Sequence, residues 1–132
     1  MSRENVEIVR RGFDYFRRTR DFREDGIAPE FVWDMSTFRG WPEQQTYEGL
    51  EGAREFMRRW LDAWEDWQLD LEELHDAGDE VVVVLRQTGR SKSTGLEVDM
   101  TFAQVFTMEG GRQTRMRMYA DPADALEAAG LS

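Results

Sequence analysis

The sequence predicts an α+β fold in which helices pack on one face of a curved antiparallel sheet. The central observation is an unbroken apolar run, Val81 to Leu85, which is typical of a strand buried on both faces. Two longer strand patterns follow, Leu96 to Met108 and Thr114 to Ala120, and Gly110-Gly111 between them is typical of a tight hairpin turn. Helical patterns stand before and after this meander, an order that favours helices packed against an antiparallel sheet.

The chain before the meander predicts a helix, a short strand and a loop. Residues 3–20 repeat apolar side chains at helical spacing. Phe31 to Ser36 alternates loosely and predicts a short strand, and Thr37 to Gly49 is typical of a loop. Trp41 and Tyr47 are unusual in a loop, and we expect them either to plug a cavity or to pack on a partner. The stripe of the first helix is Val6, Val9, Phe13 and Phe16.

The clearest helical pattern spans Glu51 to Trp64. After it, the apolar period switches to two between Gln68 and Asp76, which predicts a half-exposed strand. A last helix is predicted at the end of the chain, where Asp121 can cap it and Pro122 suits its first position. Gly130 then suits a left-handed stop. The stripe of the second helix is Ala53, Phe56, Met57, Trp60, Leu61 and Trp64.

Length and residue content bound the architecture and the kinds of site. The chain has 132 residues, 40% of them apolar, which is enough for a single folded domain over 1–132. It has no Cys and one His, which excludes disulfides, thiol nucleophiles and a multi-His metal site within one chain. No calcium-loop pattern occurs either. Composition alone leaves carboxylate-only sites for hard cations open, but without such a pattern we predict no metal and no cofactor.

The charge argues against two classes of partner. A net charge of −10 disfavours nucleic acid and anionic membranes, because both attract positive surfaces. Arg10-Arg11 and Arg17-Arg18 stand among acids on a predicted helix and are interpreted as a solvated face. The N-terminus lacks the apolar run of a signal peptide, and no apolar run approaches the ~18 residues of a membrane span. The sequence thus favours a cytoplasmic protein.

Four short phrases, in their order and spacing, carry a resemblance to a known family. They are Glu7-Ile8-Val9-Arg10-Arg11, Gly49-Leu50-Glu51-Gly52-Ala53-Arg54, Asp76-Ala77-Gly78-Asp79-Glu80-Val81 and Ala125-Leu126-Glu127-Ala128-Ala129-Gly130. Together with the order of elements, they resemble the nuclear transport factor 2-like superfamily, in its SnoaL-like (polyketide cyclase-like) branch, over essentially the whole chain.

The resemblance implies a cystatin-like cone, in which a curved antiparallel sheet holds helices on its concave face. It implies an internal pocket for a small apolar, polyketide-like or steroid-like molecule, and homodimers formed through the outer face of the sheet. The superfamily contains cyclases, isomerases, epoxide hydrolases, dehydratases and pure binding modules, so the fold does not fix the function.

Two catalytic patterns of the superfamily are broken in this sequence. Polyketide cyclases of the branch use an acid on the last strand and a His on the strand before it, and by resemblance these positions hold Met118 and Phe106. Neither side chain can move a proton. Epoxide hydrolases use an Asp-Arg-Asp set; Arg86 matches the Arg, but the acids fall at Thr88 and Met118.

A third pattern survives in part. Ketosteroid isomerases use an Asp base with a Tyr and a second acid as oxyanion donors. By resemblance, the base falls near Asp34 and the second acid near Gln104, whose amide can donate. The Tyr falls near Gly12, and Tyr15 one turn away is a substitute.

Strand parity predicts which side chains face the hollow, provided that no bulge intervenes. On the central strand they are Val82, Val84, Arg86 and Thr88; on the next strand Met100, Phe102, Gln104 and Phe106; and on the last strand Met116 and Met118.

Asp34 is the predicted catalytic residue. In an apolar pocket its pKa would rise, which suits a general base near neutral pH. The other interpretation is an Asp at a strand edge that accepts hydrogen bonds from the following loop. Arg86 either binds an anionic ligand group bidentately, pairs with Asp34 or Glu97, or faces solvent if the parity is reversed. His75, the one His, is interpreted as an exposed turn residue rather than a general base.

The remaining predicted site residues form the wall of a pocket or belong to the core. They are Tyr15, Trp41, Trp60, Gln104, Phe106 and Met118. Three functions follow. The first is a small-molecule binding protein with an apolar pocket anchored by Arg86 and Gln104. The second is an isomerase- or cyclase-like enzyme that uses Asp34 as its base. The third has no ligand, because Trp and Met side chains fill the hollow.

Overall fold

The structure, a computed structural model, describes residues 2–38, 41 and 45–131, and contains three helices and six strands there. In chain order they are α1 (Ser2–Thr19), a 3₁₀ turn (Glu24–Gly26), β1 (Ile27–Asp34), β2 (Thr46–Glu48), α2 (Gly49–Asp62), β3 (Trp64–Ala77), β4 (Glu80–Ser91), β5 (Glu97–Glu109), β6 (Arg112–Tyr119) and α3 (Pro122–Ala128). None of the helices described is both long and apolar enough to cross a membrane.

The strands form one sheet in the order β2-β1-β6-β5-β4-β3. The predicted α+β class is confirmed, with one difference in the sheet. β1 and β6 run parallel, with Trp33 beside Met116, so the sheet is mixed rather than antiparallel. Between β1 and β6 the chain passes through β2, α2, β3, β4 and β5. Such a long connection allows two neighbouring strands to run parallel. Every other pair of neighbouring strands is antiparallel.

Several boundaries differ from the predicted ones, and the largest differences concern β1, β3 and the loop before α2. β1 begins at Ile27, four residues before the predicted strand start. β3 begins at Trp64, four residues before the predicted Gln68, and the predicted helix that should reach Trp64 ends at Asp62. Asp66 has a left-handed conformation (φ 54°) where the pairing of β3 with β4 is irregular. The predicted loop 37–49 contains β2, which pairs with β1. Residues 39–40 and 42–44 of that loop lie outside the described ranges.

The inner face of the sheet is the face covered by α1 and α2. Val9 of α1 and Phe56 of α2 belong to the main core cluster with Val83 and Phe102 of the sheet. Both helices present their predicted apolar stripes to this face, since helical spacing aligns those side chains. The concave, helix-lined interior expected of a cone is therefore present.

The third helix packs on the opposite, outer face, which corrects the prediction that the helices share one face. Ala125 of α3 lies in a separate small core with Val82, Ala103 and Val105. The predicted cap is confirmed, since the Asp121 carboxylate accepts a hydrogen bond from the Ala123 backbone N–H at 2.9 Å. A helix this short (7 residues) has too few positions to reveal its buried face by periodicity.

The predicted parity of the central strand is wrong. Val81, Val83 and Leu85 belong to the inner core, so Val82, Val84, Arg86 and Thr88 point to the outer face. The apolar run does not alternate with polar residues, and nothing local to it fixes the parity. The parity predicted for β5 and β6 is confirmed, because Met100, Phe102, Phe106, Met116 and Met118 pack in the inner core.

Candidate functional site

A cavity of about 40 Å³ lies inside the cone, between the inner face of the sheet and helices α1 and α2. Every helix and strand around it except β2 and α3 contributes a side chain. Its lining is Phe13, Phe16, Trp33, Phe56, Met57, Trp60, Trp67, Leu69, Leu85, Phe102, Gln104 and Met118. Among these residues Gln104 alone has an amide, and none has an ionisable side chain.

Aromatic rings take up most of the interior. Phe56 stands at the centre, with ring centroids 4.7 Å from Trp33, 5.6 Å from Trp60 and 5.0 Å from Trp41. Trp41 also packs on Trp60, at 5.6 Å. The remaining volume suffices for about three water molecules, since a water needs ~10–15 Å³ of such space. A larger guest must displace side chains.

Gln104 is the polar side chain that the sheet delivers to this cavity. β5 places it between Val83 of β4 and Met118 of β6, with 6% of the residue exposed. Its amide makes no hydrogen bond to any residue that the structure describes. An amide without a partner costs up to ~1–3 kcal/mol when it is fully buried, and the Gln104 amide, which is nearly buried, carries part of that cost.

Other polar atoms of the interior share this condition. The indole Nε1 of Trp67, which lines the cavity, is buried and has no partner in the described part of the chain. The Trp60 indole donates to Gln87 Oε1 at 2.6 Å, but the Nε2 of Gln87 is left unpaired among those same residues. The interior thus offers more donors than the protein itself uses.

The structure brings together only some of the predicted site residues. Trp60, Gln104 and Met118 line the cavity, and Trp41 packs on its aromatic wall. Phe106 faces a neighbouring cleft, edge-on to Phe13 at 6.1 Å. Tyr15 lies elsewhere, half-buried in a surface depression that Arg54 also lines.

Asp34 lies away from the cavity, which corrects its predicted position. Trp33 faces the interior, so its neighbour Asp34 points to the outer face, where Arg115 donates to its carboxylate. The Ser36 backbone N–H donates to it as well, at 2.8 Å. This is the interpretation in which a strand-edge Asp is held by the following loop and a neighbouring strand.

The ionisation of Asp34 also runs against the prediction. Burial by itself raises the pKa of this carboxyl, but hydrogen bonds from Ser36 and Arg115 outweigh burial and hold the pKa below its usual value. A carboxylate that is already stabilised as an anion is a weaker base, and this one faces away from the apolar interior.

Arg86 lies on the outer face as well, so it does not anchor a ligand in the cone. Its guanidinium donates to both carboxylate oxygens of Asp99, at 2.8 and 2.6 Å. The partner is neither Asp34 nor Glu97, because Asp99 stands one strand away with its side chain on the same face. Hydrogen bonding to Asp99 raises the pKa of Arg86, and the same bond lowers the pKa of Asp99.

His75 is outside the cavity and contacts Glu73, with Nε2 and Oε1 2.7 Å apart. Across the described ranges, no group of three or more His, Asp or Glu side chains is arranged to hold a metal ion. The site is therefore an apolar hollow with amide and indole donors.

Sequence reasoning missed two polar groups of this interior, the Trp67 indole at the cavity and the Gln87 amide behind Trp60. Gln87 stands two residues after Leu85 and therefore shares its inward-facing side of β4. The correct parity of that strand would have placed Gln87 in the interior, but the parity was predicted wrongly. Trp67 follows the bend at Asp66, where neither the helical nor the strand period applies, and no sequence pattern marked it.

Comparison with known proteins places the chain in a family. A family model of the SnoaL-like domain matches residues 9–116. A search of the curated proteins found no match.

Solved structures share the fold along nearly the whole chain. An NTF2-like protein from Burkholderia thailandensis E264 is 27% identical with a TM-score of 0.76, over 92% of this chain and 96% of that one. A proposed SnoaL-like polyketide cyclase from Jannaschia sp. CCS1 is 24% identical with a TM-score of 0.70, over 99% and 94%. TerC, co-crystallised with polyporic acid, is 24% identical with a TM-score of 0.72, over 96% and 98%.

The family model covers most of the chain, and the structural neighbours have the same cone of helices and curved sheet. Both agree with the family to which the four sequence phrases point. The chain belongs to the SnoaL-like domain family.

Proposed function

We propose that this protein binds a small, largely apolar molecule in the cavity of the cone and does not transfer protons there. The observation that carries the proposal is the amide of Gln104, which is buried at the cavity wall with no partner in the described part of the chain. A ligand oxygen at this amide would replace the hydrogen bonds with water that burial removes, so the ligand would offset the cost of burial.

The lining residues support binding rather than acid–base catalysis. None of the lining side chains has a carboxylate, imidazole, amine or thiol. General acid–base catalysis needs a titratable group within hydrogen-bond reach of the reacting atom. By resemblance, the acid of related cyclases falls at Met118, which lines the cavity and supplies only apolar surface.

The donors limit the chemistry of the ligand. Gln104 offers an N–H donor and a carbonyl acceptor, and Trp67 offers a second N–H donor at the same cavity. A carbonyl or hydroxyl oxygen on an apolar ring system matches this set. TerC, which shares the fold, was co-crystallised with a small molecule, polyporic acid.

The ligand enters by displacing side chains, since the cavity of about 40 Å³ is smaller than a single ring. Met57 and Met118 are part of the wall, and methionine rearranges readily because it has three rotatable bonds. Trp41 packs on the outside of the same aromatic group and is only half-buried. Movement of these side chains would open room for one ring.

The test is native mass spectrometry of the purified protein, followed by titration with cyclohexanone. The five tryptophans each give one indole N–H signal in NMR spectra, so a ligand oxygen near Trp67 has a direct reporter. We expect an added mass that leaves on activation, or a shift of the Trp67 signal with cyclohexanone. Gln104→Leu should lose either effect, whereas Gln68→Leu, the same change on an exposed strand position, should keep it.

Two outcomes would contradict the proposal. In the first, no mass is added and cyclohexanone moves no indole signal. In the second, Gln104→Leu binds as well as the unaltered protein. The same spectra give the mass of the assembly, and homodimerisation through the outer face of the sheet is our prediction for it.

A further inference from the structure

A second opening lies beside the middle of α1, between that helix, the 3₁₀ turn and the β5–β6 hairpin. It is a cleft of about 150 Å³. Val9, Phe13, Ile27 and Phe106 form its apolar wall. Of the described residues that line the cleft and the cone cavity, the two share Phe13 alone. The cleft is thus a separate site with one aromatic ring as the partition.

The charged side chains that line the cleft sum to a net positive charge. Arg23 and Asp25 both line it and neutralise each other, with contacts of 3.2 and 2.9 Å. Arg11 lines it too and has no ion pair with any residue in the described ranges. The lining therefore carries one uncompensated positive charge on a chain whose net charge is −10.

A neutral donor stands near this cation. The amide of Gln113 lines the cleft and makes no hydrogen bond within the described part of the chain. Its Nε2 lies over Gly12 of α1, 3.9 Å from the position that a Cβ on Gly12 would occupy. Arg11 and Gln113 thus offer N–H donors from a helix and from a facing strand.

Gly12 keeps the cleft open at a cost to the helix. A glycine inside a helix costs ~1 kcal/mol relative to alanine. The space does not demand it, because the nearest atom to an added Cβ is at an ordinary contact distance and Gly12 does not have a positive φ. A side chain longer than alanine at this position would instead project towards Gln113 and into the cleft.

We propose that this cleft binds a small aromatic carboxylate. The ring would pack against Phe13 and Phe106, and the carboxylate would accept hydrogen bonds from the Arg11 guanidinium and the Gln113 amide. A single aromatic ring suits the volume, since an apolar cavity of ~150 Å³ accepts benzene. Arginine is the side chain that best matches a carboxylate, with two parallel N–H donors.

Benzoate is the probe, followed by two-dimensional NMR of the whole chain. We expect benzoate to move the backbone signals of Gly12 and Gly111 and the side-chain amide signal of Gln113. Benzamide, which has the same ring without the charge, should bind about tenfold more weakly. Arg11→Gln should weaken benzoate binding to a similar degree, and Arg17→Gln, the same charge change at an exposed position of α1, should not.

A second variant separates the site from general electrostatics. Gly12→Leu should block benzoate while it raises the intrinsic helix propensity of α1, and unchanged backbone signals away from the cleft would show that the variant is folded. The proposal is overturned if benzoate moves none of the cleft signals, if benzamide binds equally well, or if Gly12→Leu binds as before. It is also overturned if benzoate moves the indole signal of Trp67 instead, because the ion then occupies the cone cavity.

Discussion

The two faces of this sheet treat their polar groups in opposite ways. On the outer face, charged side chains pair with one another, as in Asp34 with Arg115, Glu80 with Arg117 and Arg86 with Asp99. On the inner face, Gln104 and the indole of Trp67 have no partners within the described residues. The outer face is thus satisfied within the chain, whereas the inner face keeps donors available for a molecule from outside.

The difference follows from strand geometry. Neighbouring residues of a strand point to opposite faces. Trp33 therefore packs in the aromatic core, and Asp34 forms an ion pair with Arg115 on the outer face. The position of a carboxylate along the chain does not by itself show whether the group faces the interior. A catalytic role assigned from that position therefore depends on the parity of the strand. Here the carboxylate strengthens the sheet from outside, and the amide of Gln104 takes the central place inside.

The largest effect should come from the aromatic packing of the inner face. Phe56 is 1% exposed and contacts four other rings, so Phe56→Ala should destabilise the protein by about 3–5 kcal/mol through lost packing and a new cavity. Urea unfolding measures this, with Phe56→Leu as a milder control. A loss below about 1 kcal/mol would mean that the interior is loosely packed and that the cavity is far larger than described.

The next effect should come from the ion pair of the outer face in which only the carboxylate of Asp34 is buried and the side chain of Arg115 is 44% exposed. Asp34→Asn should cost about 2 kcal/mol at neutral pH, because it removes the charge that Arg115 and Ser36 stabilise. The pKa of Asp34 is lower in the folded protein than the ~3.9 of an unfolded chain. Its stabilisation is therefore complete above that value and disappears as the pH falls through the folded-state pKa.

Urea unfolding of Asp34→Asn at several pH values checks this. The difference in the free energy of unfolding between the variant and the unaltered protein should become smaller below about pH 4. A constant gap across the acid range would show that the charge of Asp34 does not matter. If related cyclase or isomerase chemistry is found and Asp34→Asn abolishes it at unchanged stability, the division between the two faces is wrong.

The smallest effect should come from the exposed pair. The side chains of Arg86 and Asp99 are 47% and 54% exposed, and solvent already stabilises both charges. Arg86→Gln should leave the urea midpoint unchanged, and it should leave ligand binding in the cone unchanged as well. Loss of binding in Arg86→Gln would restore this arginine as a ligand anchor.

The sequence predicted the elements well because their signals are local. The glycine pair at Gly110 and Gly111 and the caps Asp121 and Pro122 fix their turns through backbone chemistry that neighbours do not override. The strict alternation of polar and apolar residues from Glu97 to Phe102 fixed the parity of β5, and the same parity placed Gln104 at the cavity correctly.

The candidate site was predicted less well because it depends on which face each strand turns inward. The run from Val81 to Val84 is buried on both sides, by the inner core and by the outer core that Ala125 of α3 completes. Its sequence therefore contains no difference between inside and outside, and the placement of Arg86 and Gln87 went wrong together. Only the packing of α3, which is itself set by tertiary contacts, resolves it.

The most direct measurement of the central claim is urea unfolding of Gln104→Leu with and without cyclohexanone. Leucine removes an unpaired buried amide, so the variant should be about 1 kcal/mol more stable than the unaltered protein and should gain nothing from the ketone. The unaltered protein should start less stable and gain stability as the ketone binds. A destabilised Gln104→Leu, or one that the ketone stabilises equally, would contradict the claim that this amide is kept for a ligand.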